Sequence, residues 1–74
     1  MKPRNPYTHV NDLRTLEQRI IDTLRAHGPL DVVELVSALV VSPRQVQASL
    51  HALWGRGEVA RGVDWTGHRV YSAA

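Results

Sequence analysis

The chain has no cysteine, so neither a disulfide framework nor a thiolate metal site is open to it. No apolar run approaches the ~18 residues that would cross a membrane. Its basic start, Met1-Lys2-Pro3-Arg4-Asn5-Pro6, leads into no apolar segment, so we expect no secretory leader and an intracellular setting. Catalytic equipment is missing as well. There is no glycine-rich phosphate loop and no persuasive Ser/His/Asp set. His9, His27, His51 and His68 have neither close i, i+4 spacing nor the cysteine partners of a metal site. Glu34, Glu58 and Asp64 are explained by a cap, a strand edge and a turn. We expect a protein that is not an enzyme and that takes no metal, no cofactor and no small-molecule ligand.

Acid is scarce in one stretch above all. From Leu35 to Gly57 there is no Asp or Glu. Residues 1–34 carry five Lys/Arg and five Asp/Glu, whereas residues 35–74 carry four Arg and two acids. The net charge of +2 therefore belongs to the C-terminal half, a bias that suits an anionic partner. At 74 residues the sequence reads as one small domain. A chain of this size buries only ~60–65% of its unfolded surface, so its core has little to spare.

What is present centres on two helix starts placed back to back. Asp31 with Glu34 opens one, and Leu30 and Leu35 are spaced to staple it. Ser42 with Gln45 forms a second capping box, and Pro43 takes the first helical position. Apolar spacing then predicts a helix over 32–40 burying Val32, Leu35, Val36 and Leu39. It predicts another over 43–54 burying Val46, Leu50 and Leu53. The first of these is apolar almost all round, as a helix packed on several sides would be. Only Val40 and Val41 separate the two, which is the spacing of a helix-turn-helix.

A preceding helix over 13–27 has Leu13, Leu16, Ile20, Ile21 and Leu24 on one face, with Gly28-Pro29 to stop it. Thr15 with Gln18 is a further capping box and would move the start to Thr15. Residues 1–12 read as an extended basic arm, because Pro3 and Pro6 hold their predecessors out of helical geometry. That arm is either solvated or follows a phosphate backbone. Tyr7 within it could instead pack on the body or a second subunit.

After Gly55-Arg56-Gly57 the pattern turns to β. Residues 58–63 alternate with Val59 and Val63 inward, Asp64-Trp65-Thr66-Gly67 makes the turn, and residues 68–71 return with Val70 or Tyr71 inward. Trp65 at the tip either folds back as a lid on the core or meets a partner. Trp54 adjoins the packed face of the third helix, which favours the core edge.

The third helix carries Arg44, Gln45, Gln47, Ala48, Ser49, His51 and Ala52 off its core face, in place of the Glu/Lys mixture of a solvated helix. Arg reads guanine, Gln reads adenine, and Ala touches a thymine methyl. These side chains suit a groove of DNA; they also fit an inert surface or a protein contact.

Several motifs now carry a resemblance. They are Leu16-Glu17-x-x-Ile20-Ile21-x-x-Leu24, His27-Gly28-Pro29-Leu30, Val33-x-Leu35-Val36-x-Ala38-Leu39, Val41-Ser42-Pro43-Arg44-x-Val46 and Leu50-x-x-Leu53-x-x-x-Gly57-x-Val59. From Thr15 onward, about four-fifths of its length, the chain resembles the winged helix-turn-helix domains of bacterial, archaeal and phage transcription regulators. The resemblance implies an α+β fold of three helices with a C-terminal two-stranded hairpin wing, over 13–74, behind the 1–12 arm. The helix over 43–54 would be the recognition helix in the major groove. Ser42, Arg44, Gln45, Gln47, Ala48 and His51 would face or nearly face DNA, with base contacts from Arg44, Gln47 and His51. Trp65 and His68 would sit on or beside the wing over 61–69, on the backbone or minor groove, and Arg56, Arg61 and Arg69 would anchor phosphates.

The implied partner is double-stranded DNA, bound by a homodimer or by cooperative neighbours in a cytoplasmic, nucleoid-associated setting. Where such domains commonly have glycine in the turn, this chain has Val40, so a longer turn or a continued second helix is expected. A second function class is a winged-helix protein-interaction module anchored by Trp65, Tyr71 and Trp54. A third is RNA or single-strand binding, with Trp65 stacking on bases.

Overall fold

In the computed structural model, residues 14–74 are described. The expected arm over 1–12 and the proposed core position Leu13 lie outside them. Helix α1 (Leu16–His27) is capped by Thr15, whose hydroxyl accepts from the Gln18 amide at 3.1 Å. The later of the two expected starts is the observed one. Gly28, at φ 83°, ends the helix and returns its N–H to the Leu24 carbonyl at 2.8 Å. Helix α2 (Val32–Leu39) and helix α3 (Pro43–Gly55) both begin with complete, reciprocal capping boxes. In α2 the Asp31 carboxylate accepts from Glu34 N at 2.7 Å and Glu34 accepts from Asp31 N at 2.9 Å. In α3 Ser42 and Gln45 exchange the equivalent bonds, each at 3.2 Å. Strands β1 (Val59–Val63) and β2 (Arg69–Ala73) then form an antiparallel hairpin with Arg61 opposite Tyr71.

The junction between α2 and α3 departs from expectation. The turn is not lengthened and α2 does not run on. Val40 caps α2 in the left-handed region, at φ 57° and ψ 52°, and donates to the Val36 carbonyl at 2.9 Å. A β-branched side chain thus adopts the backbone geometry that glycine takes without cost.

Among the described residues, nine buried apolar side chains make the core. Ile20, Ile21 and Leu24 come from α1, Leu35 and Leu39 from α2, Val46, Leu50 and Leu53 from α3, and Val59 from β1. Leu16, Val32, Val36 and Tyr71 pack partly buried against them. Helix α2 is not surrounded on several sides as its composition suggested, because Val33 is 72% exposed. Val63 is likewise not inward but 70% exposed. It has the same parity as Val59, yet four residues at ~3.3 Å each carry it ~13 Å along the strand and past the edge of the helices.

One pairing has no counterpart in the sequence pattern. Leu30, in the connector between α1 and α2, forms an isolated antiparallel bridge with Tyr71. Leu30 N donates to Tyr71 O at 3.0 Å, and Tyr71 N donates to Leu30 O at 2.8 Å. Strand β2 therefore has β1 along one edge and the connector on the other. This fixes the hairpin against the helices, which a two-stranded ribbon alone would not achieve.

Candidate functional site

Burying Val46, Leu50 and Leu53 turns another flank of α3 toward the hairpin. Gln47, His51 and Trp54, at spacings of four and three residues, lie on that flank. Across from them stand Arg61, His68 and Arg69. The two rows line a groove of about 460 Å³, to which residues at the start of α2 also contribute. Arg44 is exposed one turn before Gln47, and Ala48 is exposed on the same helix outside the groove.

The electrostatics of the groove are one-sided. Asp31 is the acid in its lining, and its carboxylate is already engaged in the α2 cap. Arg44 and Arg69 have no ion pair or hydrogen bond among the described residues. Arg61 is held differently. Its guanidinium carbon lies 3.8 Å from the centre of the Trp54 ring. Stacking occupies the faces of a guanidinium and leaves the N–H groups along its edge available in the same plane. Trp54 is not at the core edge as expected: it is 41% exposed and lines the groove with a cation laid across it. The His51 ring sits 6.3 Å from the Trp54 ring, centre to centre.

At the hairpin tip, one carboxylate gathers the loop. Asp64 Oδ1 accepts from the amides of Thr66 and His68 at 2.8 and 2.9 Å, and from the Thr66 hydroxyl. Hydrogen bonding from Thr66, then from the His68 and Thr66 amides, holds the Asp64 carboxyl below its ordinary range. The Thr66 oxygen is also 2.7 Å from His68 Nδ1. A hydroxyl has one proton, and here it goes to Asp64. His68 Nδ1 is therefore the donor, which leaves Nε2 for an outside partner.

Three positions singled out in the sequence take on other work. Ser42 and Gln45 spend their side-chain oxygens on the α3 cap. Arg56 does not face the groove. It donates to Glu17 at 2.6 Å and to Glu58 at 2.7 Å, and these carboxylates, Glu17 first, raise its pKa. Arg56 is thus a strut joining α1 to the end of α3, and its charge is balanced in place. Trp65 does not fold back as a lid. It is 96% exposed. The Arg61–Trp54 stack and the Leu30–Tyr71 bridge were not foreseen, because neither partner carries a local signal for the other.

No family model matches this chain, and no curated protein matches it significantly. Among solved structures, the X-ray crystal structure of the YusO protein from Bacillus subtilis superposes with a TM-score of 0.76 at 19% identity, over 90% of this chain and 49% of that one. The chain spans about half the length of that neighbour. At this identity the likeness concerns the fold: three helices and an antiparallel hairpin, the α+β winged-helix arrangement expected from the sequence.

Proposed function

We propose that this domain binds double-stranded DNA as a small transcription regulator, sequence-specific or architectural, with α3 in the major groove and the hairpin on the adjacent backbone or minor groove. The observation that carries this reading is the α3–hairpin groove, in which Gln47 and His51 face Arg61, His68 and Arg69 with no acid left unengaged to oppose them. Arg44 and Gln47 are the candidates for base edges, with Ala48 suited to a thymine methyl and His51 to either a base or a phosphate. Arg61, preset by its stack on Trp54, and Arg69 are the candidates for phosphates. Ser42 and Gln45 contribute by fixing the start of α3, whose backbone amides favour an anion. One such module spans a half-site, so specific binding would use a homodimer with half-sites ~34 Å apart, or cooperative neighbours. No described helix is long and apolar enough to cross a membrane; the cytoplasmic, nucleoid-associated setting belongs to this proposal.

Fluorescence anisotropy against a random-sequence duplex over a salt series tests the reading. Phosphate contacts release counterions, so log K should fall with log salt by ~0.9 for each phosphate neutralised. Absence of binding at low salt would overturn the proposal. The exposed Trp65 would then favour the protein-interaction module. Tyr71 is a weaker anchor for that second reading, since it packs on the core and bridges to Leu30.

A further inference from the structure

The most exposed large hydrophobic side chain among the described residues sits at the tip of the hairpin. Trp65 is 96% exposed, and the loop that presents it is tightly braced. Asp64 N donates to His68 O at 2.8 Å and Gly67 N donates to Asp64 O at 3.0 Å, while the Asp64 carboxylate holds the amides of Thr66 and His68. Gly67, at φ 90°, supplies the left-handed step that closes the turn. These bonds brace the turn from within, and the indole projects from it.

We propose that Trp65 is a wedge that enters between neighbouring base pairs of the bound duplex, unstacks one step and bends the DNA. The proposal rests on the duplex-binding reading above. A wedge needs a flat apolar side chain, stiff support and cations beside it for the flanking phosphates. The indole supplies the first with only two rotatable bonds to immobilise, and the Asp64-centred loop supplies the second. Arg69 pairs across from Val63 at the base of the loop, and Arg61 lies on the same hairpin. These groups supply the third.

The surroundings also argue against a protein anchor. Hot-spot tryptophans sit in the middle of a packed apolar patch. Here Val63 is the exposed large apolar neighbour, Val70 is half-buried, and the side chains flanking the tip, Asp64, Thr66, His68 and Arg69, are polar or charged. The tip is a blade and not a patch. Because pyrimidine–purine steps unstack most readily, the wedge should choose TA or CA/TG steps.

The test uses the full chain, its W65A and W65F variants, and duplexes carrying a donor–acceptor dye pair at their ends. One duplex has a single TA step in an otherwise stiff A-tract, and the other lacks it. Binding is followed by anisotropy, bending by energy transfer, and stacking by tryptophan emission. Wild-type protein should raise energy transfer on the TA duplex and lose emission on binding. W65A should keep the salt slope but lose both the bend and about tenfold of the preference for the TA duplex, the scale of one aromatic–base stack. W65F should retain part of each.

Equal bending by wild type and W65A would overturn the wedge while leaving duplex binding intact. So would salt-dependent binding with no change in energy transfer. Stronger quenching by an unpaired oligonucleotide than by either duplex would make Trp65 a single-strand platform and overturn the wedge. No binding to any duplex would remove the duplex reading and the wedge together, an outcome the anisotropy identifies by itself.

Discussion

Val40 shows how much a single backbone angle can hold. Its side chain is 87% exposed, so it contributes little burial, yet its left-handed conformation costs ~1–2 kcal/mol for a residue with a Cβ. Val40→Gly should therefore stabilise the domain by about 1 kcal/mol, read as a higher urea midpoint at unchanged slope. A lower midpoint would mean that the exposed side chain stiffens the turn more than its geometry strains it. Arg44 is a different case, because its role shows only in a complex. If it reads a base edge, Arg44→Ala should cost ~1–3 kcal/mol on a selected site and far less on random DNA. An equal loss on both would assign it to the backbone.

At the scale of elements, the α3 cap and the hairpin tip each join structure to the proposed function. Ser42 caps α3 through its oxygen, a task that Asp performs equally well. Ser42→Asp should leave the thermal midpoint nearly unchanged while weakening duplex binding at low salt, since it adds a negative charge at the helix start. Ser42→Ala, by contrast, should cost about 1 kcal/mol of stability. Unaltered DNA affinity in Ser42→Asp would place the start of α3 away from phosphate.

The hairpin tip carries a pH dependence through Asp64. Its folded carboxyl titrates below the ordinary value of 3.8, so the stabilisation is fully present above that value and fades as pH falls through the lower folded one. Protection of the Thr66 and His68 amides, measured against their intrinsic exchange rates at each pH, should accordingly fall only in acid. Asp64→Asn should remove that acid-dependent loss of protection.

These elements also show what local pattern can reveal. Ser42-Pro43-x-Gln45 and Asp31-x-x-Glu34 mark helix starts because capping bonds span only three residues, and both boxes are present as expected. The second helix was harder to read. Its valines suggested packing on several sides, but a domain with three helices can cover only one stripe of α2, and Val33 stays outside. The hairpin strands were legible from alternation, whereas the point at which β1 leaves the body was not. That point depends on the width of the helical layer beneath it, which no period in the strand records.

For the molecule as a whole, charge is sorted by tertiary contact. Four arginines lie in the C-terminal half, but Arg56 is neutralised between Glu17 and Glu58, while Arg61 and Arg69 line the groove. Arg69→Ala should lower the salt slope of duplex binding by about 1, and Arg56→Ala should leave it unaltered. A fall in slope for Arg56→Ala would mean that its ion pairs open on DNA.

The sequence by itself determined the order of elements, their caps, the buried faces of α1 and α3, and the shortage of acid near α3. Each of these depends on residues within a turn or two of one another. Only the tertiary structure decided that Arg61 would lie across Trp54, that Tyr71 would bridge to Leu30, that Arg56 would be tied to α1 and that Trp65 would stand free. Those outcomes join residues far apart in the chain, and their distances are set by how the helices pack and where the hairpin docks.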